Sequence, residues 1–239
     1  MLLRRAAPSA SILHLSLRFG AWIVGAVVVA PPAFAEDPPT RVGSLNYLSG
    51  EVAYALHAAP GEPGQSDSEN WLQADFDQPI CQDMSLKTGE KARARVRIGP
   101  NALEMADNTW LNMLNLNNQL IEASITSGRV FLQLSKLAPE ESVEFETPRG
   151  SLWVLQAGAY DIEIGDGAQP TRIVVFDGKA RFVGGSADLP IGPGKLVQVS
   201  GTYPSVATAE SDWTGINPTH SASDQSSPAI NPKTAAPPP

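Results

Sequence analysis

Apolar residues recur at every second position along this chain, in short runs broken by turns. Ala92, Ala94, Val96 and Ile98 alternate with Arg93, Arg95 and Arg97. That is the pattern of a half-buried β-strand, because successive side chains of a strand point to opposite faces. Val52, Tyr54 and Leu56 repeat the period after the Ser49-Gly50 turn. Val143, Phe145 and Thr147 alternate with Glu144 and Glu146 until Pro148-Arg149-Gly150 ends the run, since proline cannot donate to a ladder. Downstream, SLWVLQ, AYDIEI, TRIVVF and KARFV are separated by Gly158, Gly165-Asp166-Gly167 and Asp177-Gly178, and Lys195 to Val199 is the last strand candidate. Runs spaced about 8 to 12 residues apart with turn signals between them predict an all-β domain, an antiparallel sandwich or barrel-like arrangement of short strands.

The alternation stops at both ends and in one loop. Ala58 to Asn70 carries Pro, Gly, Ser and acids without apolar periodicity, a surface loop. Residues 1–35 have the three parts of a secretory signal peptide: Arg4, Arg5 and Arg18, an apolar run from Phe19 to Ala30, and Ala33-Phe34-Ala35 as a cleavage site. That run is shorter than the ~20 residues a membrane-spanning helix needs, so cleavage after Ala35 and no stable membrane insertion afterwards are expected. Residues 36–41 are a polar leader and 42–200 the β-domain. From residue 201 onward Ser, Thr, Ala, Asn and Pro dominate, and 201–239 is expected to be a disordered tail with Trp213 and Ile216 left loose.

Removal of the signal, which holds three arginines and no acid, takes the net charge from −8 to −11. So acidic a chain is a poor default partner for nucleic acid or anionic lipid. Cys81 is the one cysteine, which excludes an intramolecular disulfide, and it is expected to be a buried thiol. Three motifs, Ser49-Gly50-Glu51-Val52, Ser127-Gly128-Arg129-Val130 and Asp177-Gly178-Lys179-Ala180, set a turn glycine before a charged residue and a strand. Either a structural repeat or reuse of the same turn chemistry accounts for them.

The order of short motifs resembles a known family. Trp71, Asp83, Leu86-Lys87-Thr88-Gly89, Ala92, Val96, Ile98 and Gly99-Pro100-Asn101, then Ser127 to Val130, Val143 to Gly150, Gly158 to Ile162, Asp177 to Ala180 and Ile191 to Leu196, are together similar to the FecR domain of exported bacterial proteins. The similarity runs from about Val42 to Ser200. It implies an all-β periplasmic domain that binds a periplasmic or envelope protein and is not an enzyme. In the iron-transport regulators that name the family, a cytoplasmic anti-sigma segment and a membrane helix precede this domain; here a signal-like segment stands in that place.

Candidate chemistry is sparse. There is no GxSxG elbow, phosphate-binding loop or dinucleotide fingerprint, and His57, His220 and Cys81 lack metal-ligand spacing, so no catalytic residue, cofactor or metal site is expected. A Cys81–His57 nucleophile pair would need the fold to join them. Glu144 with Glu146, and Asp161 with Glu163, are expected on solvated strand faces. Arg93, Arg95 and Arg97, spaced about 7 Å apart on one face, are expected to pair across the sheet with those acids; the alternative is an acidic partner. Trp71, Trp110 and Trp153 are expected in the core, with a stacking platform for peptidoglycan sugars as the alternative.

Overall fold

The computed structural model describes residues 41–56 and 71–215; the expected signal peptide, the expected surface loop, His57, Ile216 and His220 lie outside the described residues. Among the described residues every regular element is a strand. In chain order they are β1 (Gly43–Ser49), β2 (Val52–Leu56), β3 (Leu72–Gln73), β4 (Pro79–Ile80), β5 (Met84–Thr88), β6 (Arg93–Ile98), β7 (Asn101–Met105), β8 (Trp110–Leu116) and β9 (Leu120–Leu134). There follow β10 (Ser142–Thr147), β11 (Gly150–Val154), β12 (Gly158–Ile164), β13 (Thr171–Asp177), β14 (Ala180–Gly184), β15 (Ala187–Ile191), β16 (Lys195–Thr202) and β17 (Ser205–Asp212).

The strands form two sheets joined through β9. The first runs β4-β1-β6-β7-β9-β12-β13-β16-β17 and the second β3-β2-β5-β8-β9-β10-β11-β14-β15. The early half of β9 lies in the second sheet and its late half in the first. Strand pairs go alternately to one sheet and the other, so both sheets grow in the same direction as the sequence. All pairings are antiparallel except β9 with β10, which run parallel, a departure from the purely antiparallel expectation. The seven residues between these two strands let β10 start beside the beginning of β9 again, which a tight hairpin cannot do.

Residues facing between the sheets form one core. Across the first sheet Leu45, Val96, Leu103, Leu132, Tyr160 and Val175 occupy one cross-strand row. Across the second, Met113, Ala123, Phe145, Leu152 and Phe182 do the same, and both rows are buried in a single apolar cluster. Burial of each large member is worth about 1.5–3 kcal/mol.

The three glycine motifs all lie where the chain passes from one sheet to the other. Gly128 bends β9 at a φ of +80°, and a Cβ there would come within 2.3 Å of the Thr109 hydroxyl oxygen. Gly178, at +88°, leads from β13 to β14 against Tyr160, whose hydroxyl donates to the Gln156 carbonyl and accepts from the Lys179 N–H; burial pushes that phenol up to about 12. Gly50 makes the corresponding passage from β1 to β2. The motifs therefore mark equivalent corners at unequal spacing.

Two segments depart from the sequence reading. Residues 205–212, assigned by composition to the tail, form β17, because pairing along all eight positions of β16 supplies the hydrogen bonds that its side chains cannot replace with burial. Trp213 is likewise not loose: its backbone N–H donates to the Gly194 carbonyl at 2.7 Å and its ring meets Phe176 edge-on at 5.8 Å. Cys81 is free but half-buried at the margin of the core, where Met84 sulfur accepts its N–H.

Candidate interaction surface

Each sheet has an outer face, and the expected site residues are divided between them. Arg93, Arg95 and Arg97 project from β6 on the outer face of the first sheet, while Trp71 and Trp110 lie on the outer face of the second. The fold therefore does not bring the arginines and tryptophans together.

On the first outer face, the carboxylates are paired with cations. Arg95 bonds Glu104 at 2.7 Å, directly opposite it in the β6–β7 hairpin. Arg172 bonds Glu163 at 3.0 Å on the same face, whereas Lys195, 2.8 Å from Asp212, continues the inward row of Tyr160 and Val175 at the edge of the sheet. Cross-strand pairing was the right expectation for Arg95, but its partner is the hairpin neighbour and not the acids of β10 or β12. Arg93 and Arg97, opposite Ser49 and Ser44, have no ion-pair partner among the described residues. Asp161 corrects the expectation of a solvated acid: it is only 4% exposed, flanked across the strands by Phe131 and Val174. Its carboxylate accepts from Arg129 Nε at 2.7 Å, yet burial holds its pKa above the ordinary aspartate value. The aromatic trio Phe131, Phe176 and Trp213 completes this face.

On the second outer face, Trp71 meets Trp110 edge-to-face at 5.6 Å and the Lys87 ammonium sits 4.2 Å from the Trp71 ring centre. Both rings are half-buried, so neither is a core residue as expected nor a free platform. Beneath them runs a polar row, Ser85, Asn112 and Ser124, buried although it faces outward. Asn112 Oδ1 accepts from Ser85 Oγ at 2.6 Å and from Trp110 Nε1 at 3.1 Å. Further across the same face, Glu122, Glu144 and Trp153 lie in register on β9, β10 and β11, with Glu146 two residues from Glu144. No ion pair reaches these three glutamates among the described residues. Glu122 accepts a hydrogen bond from Asn115, and Glu146 has a raised pKa, chiefly through burial and then through Glu122 and Glu144. Trp153 is 36% exposed, against the core placement expected for it.

The pattern of carboxylates across three strands was hidden from sequence reasoning because Glu122 and Glu144 become neighbours only through the parallel β9–β10 pairing. Arg149 was also missed. Read as the end of a strand, it is a 6%-exposed clamp whose five N–H groups reach the Gly201, Gly165, Asp166 and Gln169 carbonyls and the Thr171 hydroxyl, all at 2.8–3.0 Å. Five donors meet five acceptors, the full capacity of a guanidinium.

No protein-family model and no curated protein matches the chain. Two crystal structures of a candidate anti-sigma factor from Parabacteroides distasonis, at 2.50 Å and 1.65 Å resolution, are similar to it with a TM-score of 0.47 and identities of 10% and 9%. Each similarity covers 54% of this chain and 60% of the other, so the chain spans less than two thirds of that protein's length.

Proposed function

We propose that the chain is an exported, non-catalytic FecR-like module that senses or binds an envelope protein in the periplasm. The observation that supports this reading is the position of the residues carrying the family resemblance. Thr88-Gly89, Gly128, Asp177-Gly178 and Gly192 to Gly194 lie where the chain changes sheet, and Gly99-Pro100 and Pro148-Arg149 lie at hairpins. Motifs so placed set the shape of a scaffold, and they leave the outer faces free to differ with the partner.

The signal segment supplies the export part of the reading. N-terminal sequencing of protein recovered from periplasm should begin at Glu36; full-length chain in the cytoplasm would remove that part. Capture from periplasmic extract with the chain starting at Glu36, under mild crosslinking, should return the same protein partner in repeated trials. Repeated failure overturns the interaction reading. The exposed Trp153 favours a second, weaker reading as a glycan-binding module, which pelleting with purified peptidoglycan would support and its absence would end.

A further inference from the structure

Among the described residues, the outer face of the second sheet holds charge that the fold leaves unbalanced. Glu122 and Glu144 stand side by side on adjacent strands, and Glu144 shares its face of β10 with Glu146. Like charges so placed destabilise a sheet. A cation lies within the same row: Arg181, directly across from Trp153. Its guanidinium turns away to Asp188 on β15, making two hydrogen bonds of 2.6 and 2.5 Å, and so leaves both Glu144 and the indole without it. Val183, diagonal to Trp153 across the β11–β14 ladder, and Leu155, just beyond the end of β11, are exposed near it. The strip therefore has an anionic edge, an aromatic centre and, beyond it, two separate apolar contacts on either side of the Arg181–Asp188 ion pair.

A second feature lies at the margin of this strip. Asn112 is 3% exposed, and its Nδ2 has no hydrogen-bond partner among the described residues. Ser85 on β5 and Trp110 on β8 hold its oxygen, and on its other side the row continues through Ser124 to Glu146. A buried donor left unused is costly, and an acceptor brought beside it removes that cost.

We propose that this strip, Glu122, Glu144, Glu146, Trp153, Leu155 and Val183, is the docking site for a cationic, amphipathic polypeptide segment of the partner. The inference rests on the interaction-module reading and adds the place and the chemistry. Lysine or arginine side chains meet the glutamates and stack on the Trp153 face, and alternate apolar side chains cover Leu155 and Val183. Laid edge-on over β11, an extended segment of alternating basic and apolar residues points its basic side chains toward β10 and its apolar ones to the opposite side. A second copy of this chain is the poorer occupant, because two bodies of net charge −11 repel one another before contact.

The test is a titration of the chain starting at Glu36 with a fluorescent ten-residue peptide of alternating lysine and leucine, and with its glutamate–leucine counterpart. Saturable binding of the first alone, weakening with salt, is expected. Glu144→Lys with Glu146→Lys should weaken it at least tenfold. Asp75→Lys with Glu90→Lys, which changes net charge equally at exposed sites away from the strip, should leave it within twofold. Trp153→Ala should weaken it severalfold even at high salt. Equal loss in the two double variants reduces the effect to net charge and overturns the site, as does no binding by the unaltered protein. Sedimentation showing self-association that the Glu144→Lys, Glu146→Lys variant loses overturns it in favour of a second copy. The two readings fail separately: a variant that still captures the periplasmic partner removes this site and leaves the interaction module standing, whereas peptide binding with no partner captured removes only the module.

Discussion

The two outer faces of this protein treat their carboxylates differently. On the first sheet, Arg95–Glu104, Arg129–Asp161 and Arg172–Glu163 each join cross-strand or near-diagonal neighbours. On the second, Glu122, Glu144 and Glu146 collect beside one another, and the cation nearest to them in register is committed to Asp188. Both faces belong to the same scaffold and share strand β9, so the difference does not come from fold. Paired charge on a sheet serves its own stability, whereas like charge kept together works against it and marks a surface whose complement lies elsewhere.

The sharpest test of how far pairing matters is the most buried cation. Arg149→Ala leaves four carbonyls and a hydroxyl without donors and should cost about 3–5 kcal/mol in urea unfolding. Arg149→Lys should restore less than half of that, because an ammonium has three donors and no planar fork. A loss below about 1 kcal/mol for the alanine variant would show that the clamp is dispensable.

Arg129 is next, because the carboxylate it leaves behind cannot reach water. Arg129→Ala should cost about 2 kcal/mol at neutral pH. Asp161 already binds its proton more tightly in the folded chain than in the unfolded one, since burial outweighs the pull of Arg129. Its contribution to stability therefore rises as pH falls through the raised folded value, and without Arg129 that rise should begin at a higher pH. Unfolding curves collected from pH 7 down to 5 check this; parallel profiles for the two proteins would mean that Asp161 does not feel the loss.

The smallest effects should have opposite signs on the two faces. Arg95→Glu sets a second carboxylate against Glu104 and should lower stability by about 0.5–1 kcal/mol, whereas Glu146→Gln relieves crowding and should raise it by about 0.5 kcal/mol. Thermal melts of both variants measure the contrast directly. If Glu146→Gln is also destabilising, the second face is a paired surface like the first and the comparison fails.

Strand positions were largely legible in the chain because period-two alternation needs only local residues: β6, β10, β12 and β13 lie where Ala92 to Ile98, Val143 to Thr147, AYDIEI and TRIVVF place them. The corners were legible for the same reason, since Gly128 and Gly178 adopt backbone angles that other residues avoid. Strand β17 was not, because Ser205 to Asp212 has almost no apolar signal and its order comes from the ladder with β16. The candidate surface was read only in fragments. The arginines drew attention through their regular spacing, although the fold puts one of them in a hairpin ion pair. Glu122 carried no signal until β10 was found alongside it.

By itself the sequence determined that this is a β-protein, where its chain turns, and which side of most strands faces the core, because each follows from the alternation and φ preferences of neighbouring residues. Only the tertiary structure decided what lies opposite what: Glu104 beside Arg95, Phe131 and Val174 around Asp161, and Glu144 between Glu122 and Trp153. Registers between strands far apart in the chain are set by packing of the whole core, and electrostatic cost depends on those registers. The same carboxylate is therefore a solubilising charge, a buried liability or part of a docking strip according to neighbours that no local pattern records.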